Sequence, residues 1–182
     1  MIDKPVENNS TSANDNSMDD VSAICDELLA KTLSLQLATL GEEDYPHCGY
    51  TPYLMREEGD DSVRQFYIFV SELALHTRDL LREPRASIML IEDEADAKQI
   101  FARTRLYYEC DVSEINNEHA DYTAILDAYE ARHGKMVNLL RQLPDFRLLK
   151  LQPVSGQFVM GFGKAFRLTG TALKEFEHSR RA

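Results

Sequence analysis

The chain contains no tryptophan and only three cysteines, Cys25, Cys48 and Cys110, in 182 residues. An odd thiol count without CxxC spacing excludes a disulfide framework or a zinc knuckle as the organising feature. Reduced thiols suit a cytoplasmic protein. The five histidines form no HxxxH or HExxH pair, which argues against a metal held at helical spacing. No segment has the roughly 20 apolar residues of a membrane-spanning helix. The N-terminus lacks the basic and apolar regions of a secretory signal. Basic residues are the minority, 20 against 31 acidic, for a net charge of −11. That field repels nucleic acid and anionic lipid, so neither is expected as a partner without a local basic patch. No GxGxxG opens a helix, and there is no P-loop, no GxSxG elbow and no paired catalytic carboxylates. A dinucleotide fold of the Rossmann type is therefore not indicated.

Residues 1–17, MIDKPVENNSTSANDNS, hold too few large apolar groups to offset the entropy of ordering and predict a disordered tail. A single domain is expected over 18–178, with 179–182 as a C-terminal tail. It opens with a helix capped by Asp19 or Asp20 that carries Val21, Ile24, Leu28 and Leu29 as an apolar stripe. Strands are expected over 33–40, 47–55, 63–70, 86–92, 98–111, 146–152 and 157–168. Pro52 requires an edge, a bulge or a break in the second of these. Gly161 and Gly163 suggest a bulge or a close backbone approach in the last. Helices are expected after Ser71, an apparent N-cap, with Leu73, Leu80 and Leu81 as anchors, and after Ser113 or Asn116. A short one follows around Met136, Leu139 and Leu140, and another over TALKEFEH at the end. Seven strands with small inserted helices make an α+β domain built on a barrel.

Four places could carry chemistry. In the strand read over 98–111, Gln99, Phe101, Arg103, Arg105 and Tyr107 share one face. Two guanidinium forks suit carboxylate or phosphate and the aromatics suit a planar ring, although a solvated strand face accounts for the same pattern. At the strand-to-helix junction FVSELALHTRD, Ser71 and His76 are polar candidates for an anion at a helix N-terminus. Glu72 in the first turn opposes that reading and simple capping competes with it. The acidic run at 92–96 lacks the spacing of a calcium loop and reads as a turn. His178 in EFEHSRRA is a candidate haem or metal ligand, or a solvated terminal side chain.

Two longer runs carry a family resemblance. IMLIEDEADAKQIFARTRL and LPDFRLLKLQPVSGQFVMGFGKAFRL together resemble the haem-utilisation (HutZ/HugZ-type) branch of the pyridoxamine 5'-phosphate oxidase-like, FMN-binding split-barrel superfamily, over about residues 33–176. The resemblance implies an antiparallel split β-barrel with peripheral helices and a homodimer with a small planar ligand in the cleft between protomers. The GFG segment and the face of the 98–111 strand are expected near the two-fold. It further implies haem as the cofactor or ligand and an oxidoreductase that breaks haem down. Asp145 matches the acidic residue that supports the axial histidine from the partner chain. His178 stands nearest to that histidine as a ligand for haem iron, since the family's own position lies beyond Ala182. FMN is the alternative cofactor, in a flavin-dependent oxidoreductase, and a non-catalytic sensor or carrier is the third reading. The flavin members grip phosphate with cations at positions that here read Gly49 and Leu54, and with a Ser-Arg-Lys run that here reads Ala74-Leu75-His76. Only Gln99 keeps its type, and the substrate motif of the authentic pyridoxamine phosphate oxidase is absent.

Overall fold

The computed structural model describes residues 18–179, so the expected tail over 1–17 lies outside the described residues, as do 180–182. The chain runs α1 (Met18–Lys31), β1 (Ser34–Leu40), β2 (Pro46–Pro52), β3 (Leu54–Glu58), β4 (Val63–Ser71), α2 (Leu75–Arg82), β5 (Arg85–Ile91) and β6 (Arg105–Ile115). It continues through α3 (Tyr122–His133), α4 (Met136–Leu140), β7 (Phe146–Val159), β8 (Ala165–Thr169) and β9 (Glu175–His178). Single 3-10 turns lie at Glu42–Asp44 and Ile100–Ala102.

Every strand pairing is antiparallel, in the order β2-β1-β5-β6-β7-β4-β3, and β8 joins β7 to β9. β7 is the pivot. One of its edges pairs with β6 along almost its whole length. Its other edge pairs with β4 over the first half and with β8 at the end. That division makes an α+β split barrel. β4 is buried on both sides, which is why FYIFV reads as an unbroken apolar run rather than an alternating one. Phe66, Ile68 and Val70 enter the barrel core with α1. Tyr67 and Phe69 enter a second cluster under α3, with Ile125, Leu126 and Tyr129. Arg64, one turn of the pleat earlier, is buried and ties α1 to the barrel by donating to Asp26, to the Tyr108 hydroxyl at 3.3 Å and to Cys25 Sγ at 3.8 Å.

Several sequence expectations are corrected. The strands expected over 146–152 and 157–168 are divided elsewhere. The chain crosses Pro153 without a break: Pro153 stays in register with Cys110, and a bulge opposite Glu109 and Cys110 takes up Val154 beside it. The strand instead ends in a turn in which Gly161 and Gly163 adopt φ of +74° and +72°, a region open to glycine at little cost. The expected helix over TALKEFEH is a turn followed by β9, since pairing with β8 captures the segment. β6 begins at Arg105 rather than 98, and Gln99 caps the short 3-10 turn. Ser71 ends β4 and is not an N-cap; that position is Ala74, without a side-chain cap. Leu80 alone of the three α2 anchors is buried, Leu73 and Leu81 being exposed. The α3 cap is Asp121, because β6 runs on to Ile115 and takes Ser113 with it. Asp19 and Asp20 lie within the first turn of α1.

Candidate functional site

The sequence candidates fall into two groups at opposite ends of β7. At its start, Ser71 pairs in the ladder with Phe146, so Asp145 sits one residue past the ladder's end. The Ser71 hydroxyl donates to Asp145 Oδ2. The Glu72 amide donates to the Asp145 carbonyl at 2.8 Å, and the Leu73 amide to Ser71 Oγ at 3.1 Å. Arg147, two residues on, is engaged by Glu72 and by Glu114. The sequence singled out Ser71 and Asp145 separately, and the fold brings them together across 74 positions of chain.

His76 lies on α2, against β2. A Cβ built on Gly49 would approach its Nδ1 to 2.9 Å, so the imidazole occupies space that a side chain at 49 would otherwise fill. Burial pulls the His76 pKa below the ordinary histidine value, against the opposing charge of Asp79. The ring is therefore neutral at neutral pH. Beside it, Asp79 accepts from Thr39 Oγ1 and His47 Nδ1, both at 2.7 Å. This anchor of α2 to the β1–β2 hairpin was not anticipated; Asp79 and His47 are 32 residues apart and share no local pattern.

These residues do not fit an FMN phosphate. Gly49 and buried Leu54 contribute no charge, and the α2 N-terminus offers a neutral imidazole in place of a cation. A dianionic phosphate taken from water needs charged, hydrogen-bonding partners.

The second group lies at the far end of β7. The shared face expected for Gln99, Phe101, Arg103 and Arg105 does not form, because 98–104 is not a strand. Gln99 Oε1 accepts from the Phe101 amide at 3.3 Å. Arg103 turns back to the acidic loop, donating to the Glu92 carbonyl at 2.8 Å and to Glu94 at 3.1 Å. The run at 92–96 is a turn, as expected, and it also holds this arginine. Arg105, half-buried on β6, donates to the Tyr107 hydroxyl and to the Arg103 carbonyl, each at 2.9 Å. Leu106, Phe158, Phe166 and His178 form one cross-strand row. The His178 ring lies on Phe166 with centroids 4.3 Å apart, on the sheet side opposite Arg105 and Tyr107.

The 14 residues of β7, roughly 45 Å of extended chain, separate Asp145 from this second group. Within one protomer the two groups therefore sit at opposite ends of the longest strand. Large apolar side chains are exposed at both ends. Leu73, at 85%, flanks Ser71 and Asp145, and Phe101 and Phe162, at 81% and 71%, stand on the two loops beside Arg105 and Val159.

The sequence pattern of the family described as pyridoxamine 5'-phosphate oxidase matches residues 23–160. HutZ of Vibrio cholerae, named a heme oxygenase, is 37% identical over 145 residues, 80% of this chain and 79% of that protein. A crystal structure of HutZ from Vibrio cholerae, described as a heme storage protein, superimposes with a TM-score of 0.69 at 35% identity, covering 78% of this chain and 95% of that one. The crystal structure of Campylobacter jejuni ChuZ gives a TM-score of 0.78 at 27% identity, covering 90% of this chain and 64% of that one.

Proposed function

Because the chain belongs to the haem-utilisation branch of the pyridoxamine 5'-phosphate oxidase-like split-barrel superfamily, we propose that it binds haem in the cleft of a homodimer and breaks the macrocycle down oxidatively. The observation that carries the dimeric site is the separation of the candidate residues along β7. A two-fold axis sets each surface against its counterpart, so that residue i of one chain meets j of the other and the reverse. The Asp145 end of one protomer then faces the Arg105 and His178 end of its partner, twice per dimer. The exposed apolar side chains at both ends supply surface for such a contact.

Because Arg105 lies on the sheet side opposite His178, it and Arg103, if the latter leaves Glu94, are assigned to the haem carboxylates at the rim of the cleft, a task suited to planar guanidinium forks. Gln99 sits on the same loop as a further polar contact. His178 is the candidate ligand for iron, and Asp145 of the opposite chain orients it. His76 lies on α2 under Gly49 and serves packing rather than the ligand. Bound haem supplies the redox-active iron. Ring opening would consume dioxygen and electrons from an external donor. Binding without turnover, the carrier reading, is favoured over catalysis only if the bound haem persists under reductant and air.

The test is a haem titration followed by absorbance, with sedimentation of the same samples. The expected result is a dimer at micromolar concentration with a Soret band distinct from free haem and altered by His178→Ala. Loss of that band with reductant and air, with iron released to a chelator, marks breakdown. A free-haem spectrum with the unaltered protein refutes haem binding, and a monomer refutes the shared cleft.

A further inference from the structure

We propose that Ser71 is the positioning residue for Asp145, holding one carboxylate oxygen so that the other is presented to the ligand cleft. The inference rests on the haem-binding reading above and adds a residue to it. The polarity of the contact follows from the donors present. The Leu73 amide can only donate, and it occupies one lone pair of Ser71 Oγ at 3.1 Å. The hydroxyl proton is then directed to the remaining partner, Asp145 Oδ2. The Glu72 amide, donating to the Asp145 carbonyl at 2.8 Å, holds the backbone from which that carboxylate projects. The end of β4 thus fixes both the main chain and the side chain of Asp145.

A second feature keeps the other oxygen available. Arg147, two residues past Asp145, is the cation nearest in sequence that could capture it. Glu72 takes its Nε and Nη2 atoms, and Glu114 lies 3.4 Å from Nη1. With Arg147 engaged, Asp145 Oδ1 has no hydrogen-bond partner among the described residues. Asp145 is half-buried, so an unheld carboxylate could rotate about its side-chain bonds or swing toward Arg147. A hydrogen bond to a charged group contributes more than one between neutral groups, which makes the Ser71 hydroxyl the main restraint on that rotation.

The test uses the full chain and four variants: Ser71→Ala, Ser71→Thr, Asp145→Ala and the Ser71→Ala/Asp145→Ala double. It reads haem release into an apomyoglobin scavenger, the Soret position and the melting temperature without haem. Ser71→Ala is expected to speed release about tenfold and to move the Soret band in the same direction as Asp145→Ala. Ser71→Thr, which keeps the hydroxyl, is expected to stay within about twofold of the unaltered protein by the same reasoning. In the Asp145→Ala background, loss of Ser71 is expected to add almost nothing, because its target is gone. Ser71→Cys, nearly isosteric with a weaker donor, replaces Ser71→Ala if the alanine variant does not fold and is expected to fall between serine and alanine.

A lower melting temperature with unchanged haem release and Soret position overturns the proposal by reducing Ser71 to a structural role. Additive effects in the double variant also overturn it. If the unaltered protein binds haem and Asp145→Ala alters release while Ser71→Ala does not, only the positioning role falls. If the unaltered protein gives a free-haem spectrum, the haem reading fails first and this inference with it.

Discussion

Replacing Asp79 by asparagine tests how α2 is held on the barrel. The Asp79 side chain is 8% exposed and accepts at one oxygen from Thr39 Oγ1 and His47 Nδ1, each at 2.7 Å. Burial by itself would push this carboxyl up. The hydrogen bonds from Thr39 and His47, with the charges of His47 and Arg82, overcome that and hold it below its ordinary value of 3.8. Asparagine keeps the shape but removes the charge from both bonds. A hydrogen bond to a charged group contributes about 1.5–3 kcal/mol, and some bonding survives through the amide oxygen. The expected loss is about 2 kcal/mol at pH 7, or roughly 4–8 °C in melting temperature for a chain of this length.

The pH dependence follows from the depressed pKa. Above the unfolded value the ionised carboxylate contributes its full stability, and the contribution is lost as pH falls through the lower folded value. Urea midpoints for the two proteins should therefore differ throughout pH 5 to 7. They should converge below about pH 4, where the unfolded-state carboxyl begins to take up protons. Equal midpoints at pH 7, or a difference that persists undiminished down to pH 3, would refute the role assigned to this carboxylate.

Three further outcomes are expected. A Cβ on Gly156 would lie 2.7 Å from Leu168 and 2.8 Å from the buried Tyr108 ring, so Gly156→Ala should cost about 1–3 kcal/mol by overpacking; a urea midpoint equal to that of the unaltered protein would contradict this. Arg64→Met should cost about 1–3 kcal/mol, because methionine fills the volume and Asp26, 58% exposed, returns to water, while the buried Tyr108 hydroxyl loses its donor. Arg64→Ala should lose several kcal/mol to the cavity, and a methionine variant as unstable as the alanine one would show that the ion pair itself dominates. Ellman's reagent at pH 8 should label Cys48, which is exposed, in the native protein. Burial pushes Cys25 up to about 11 and raises Cys110 as well, so those two should react only on unfolding; rapid labelling of either would place it nearer solvent than the fold does.

Local chemistry carried much of the fold. The 3.6-residue stripe of Val21, Leu28 and Leu29 marks α1, and the periodicity of Ile125, Leu126 and Tyr129 marks α3. Alternation gives β1, and the unbroken run at β4 reports burial on two sides. The two longer motifs identified the family.

What sequence pattern misread is what pairing decides. Alternation over 98–108 looks like one long strand, but the carboxylates and carbonyls at 92–94 capture Arg103 and bend that stretch out of the ladder. TALKEFEH has a helical composition, yet it lies against the open edge of β8, whose unpaired backbone groups draw it into β9. The break expected between 152 and 157 is bridged because β7 takes up Val154 as a bulge opposite Glu109 and Cys110 of β6. Ser71 and Asp145 were visible one by one, and Asp79 with His47 not at all, since nothing local connects residues tens of positions apart. By itself the sequence determined the elements whose periodicity is strong, such as α1, α3, β1 and β4, through patterns spanning a few residues. Only the tertiary structure decided which polar groups meet, because a hydrogen bond depends on the position of both partners and one end of it always lies elsewhere in the chain.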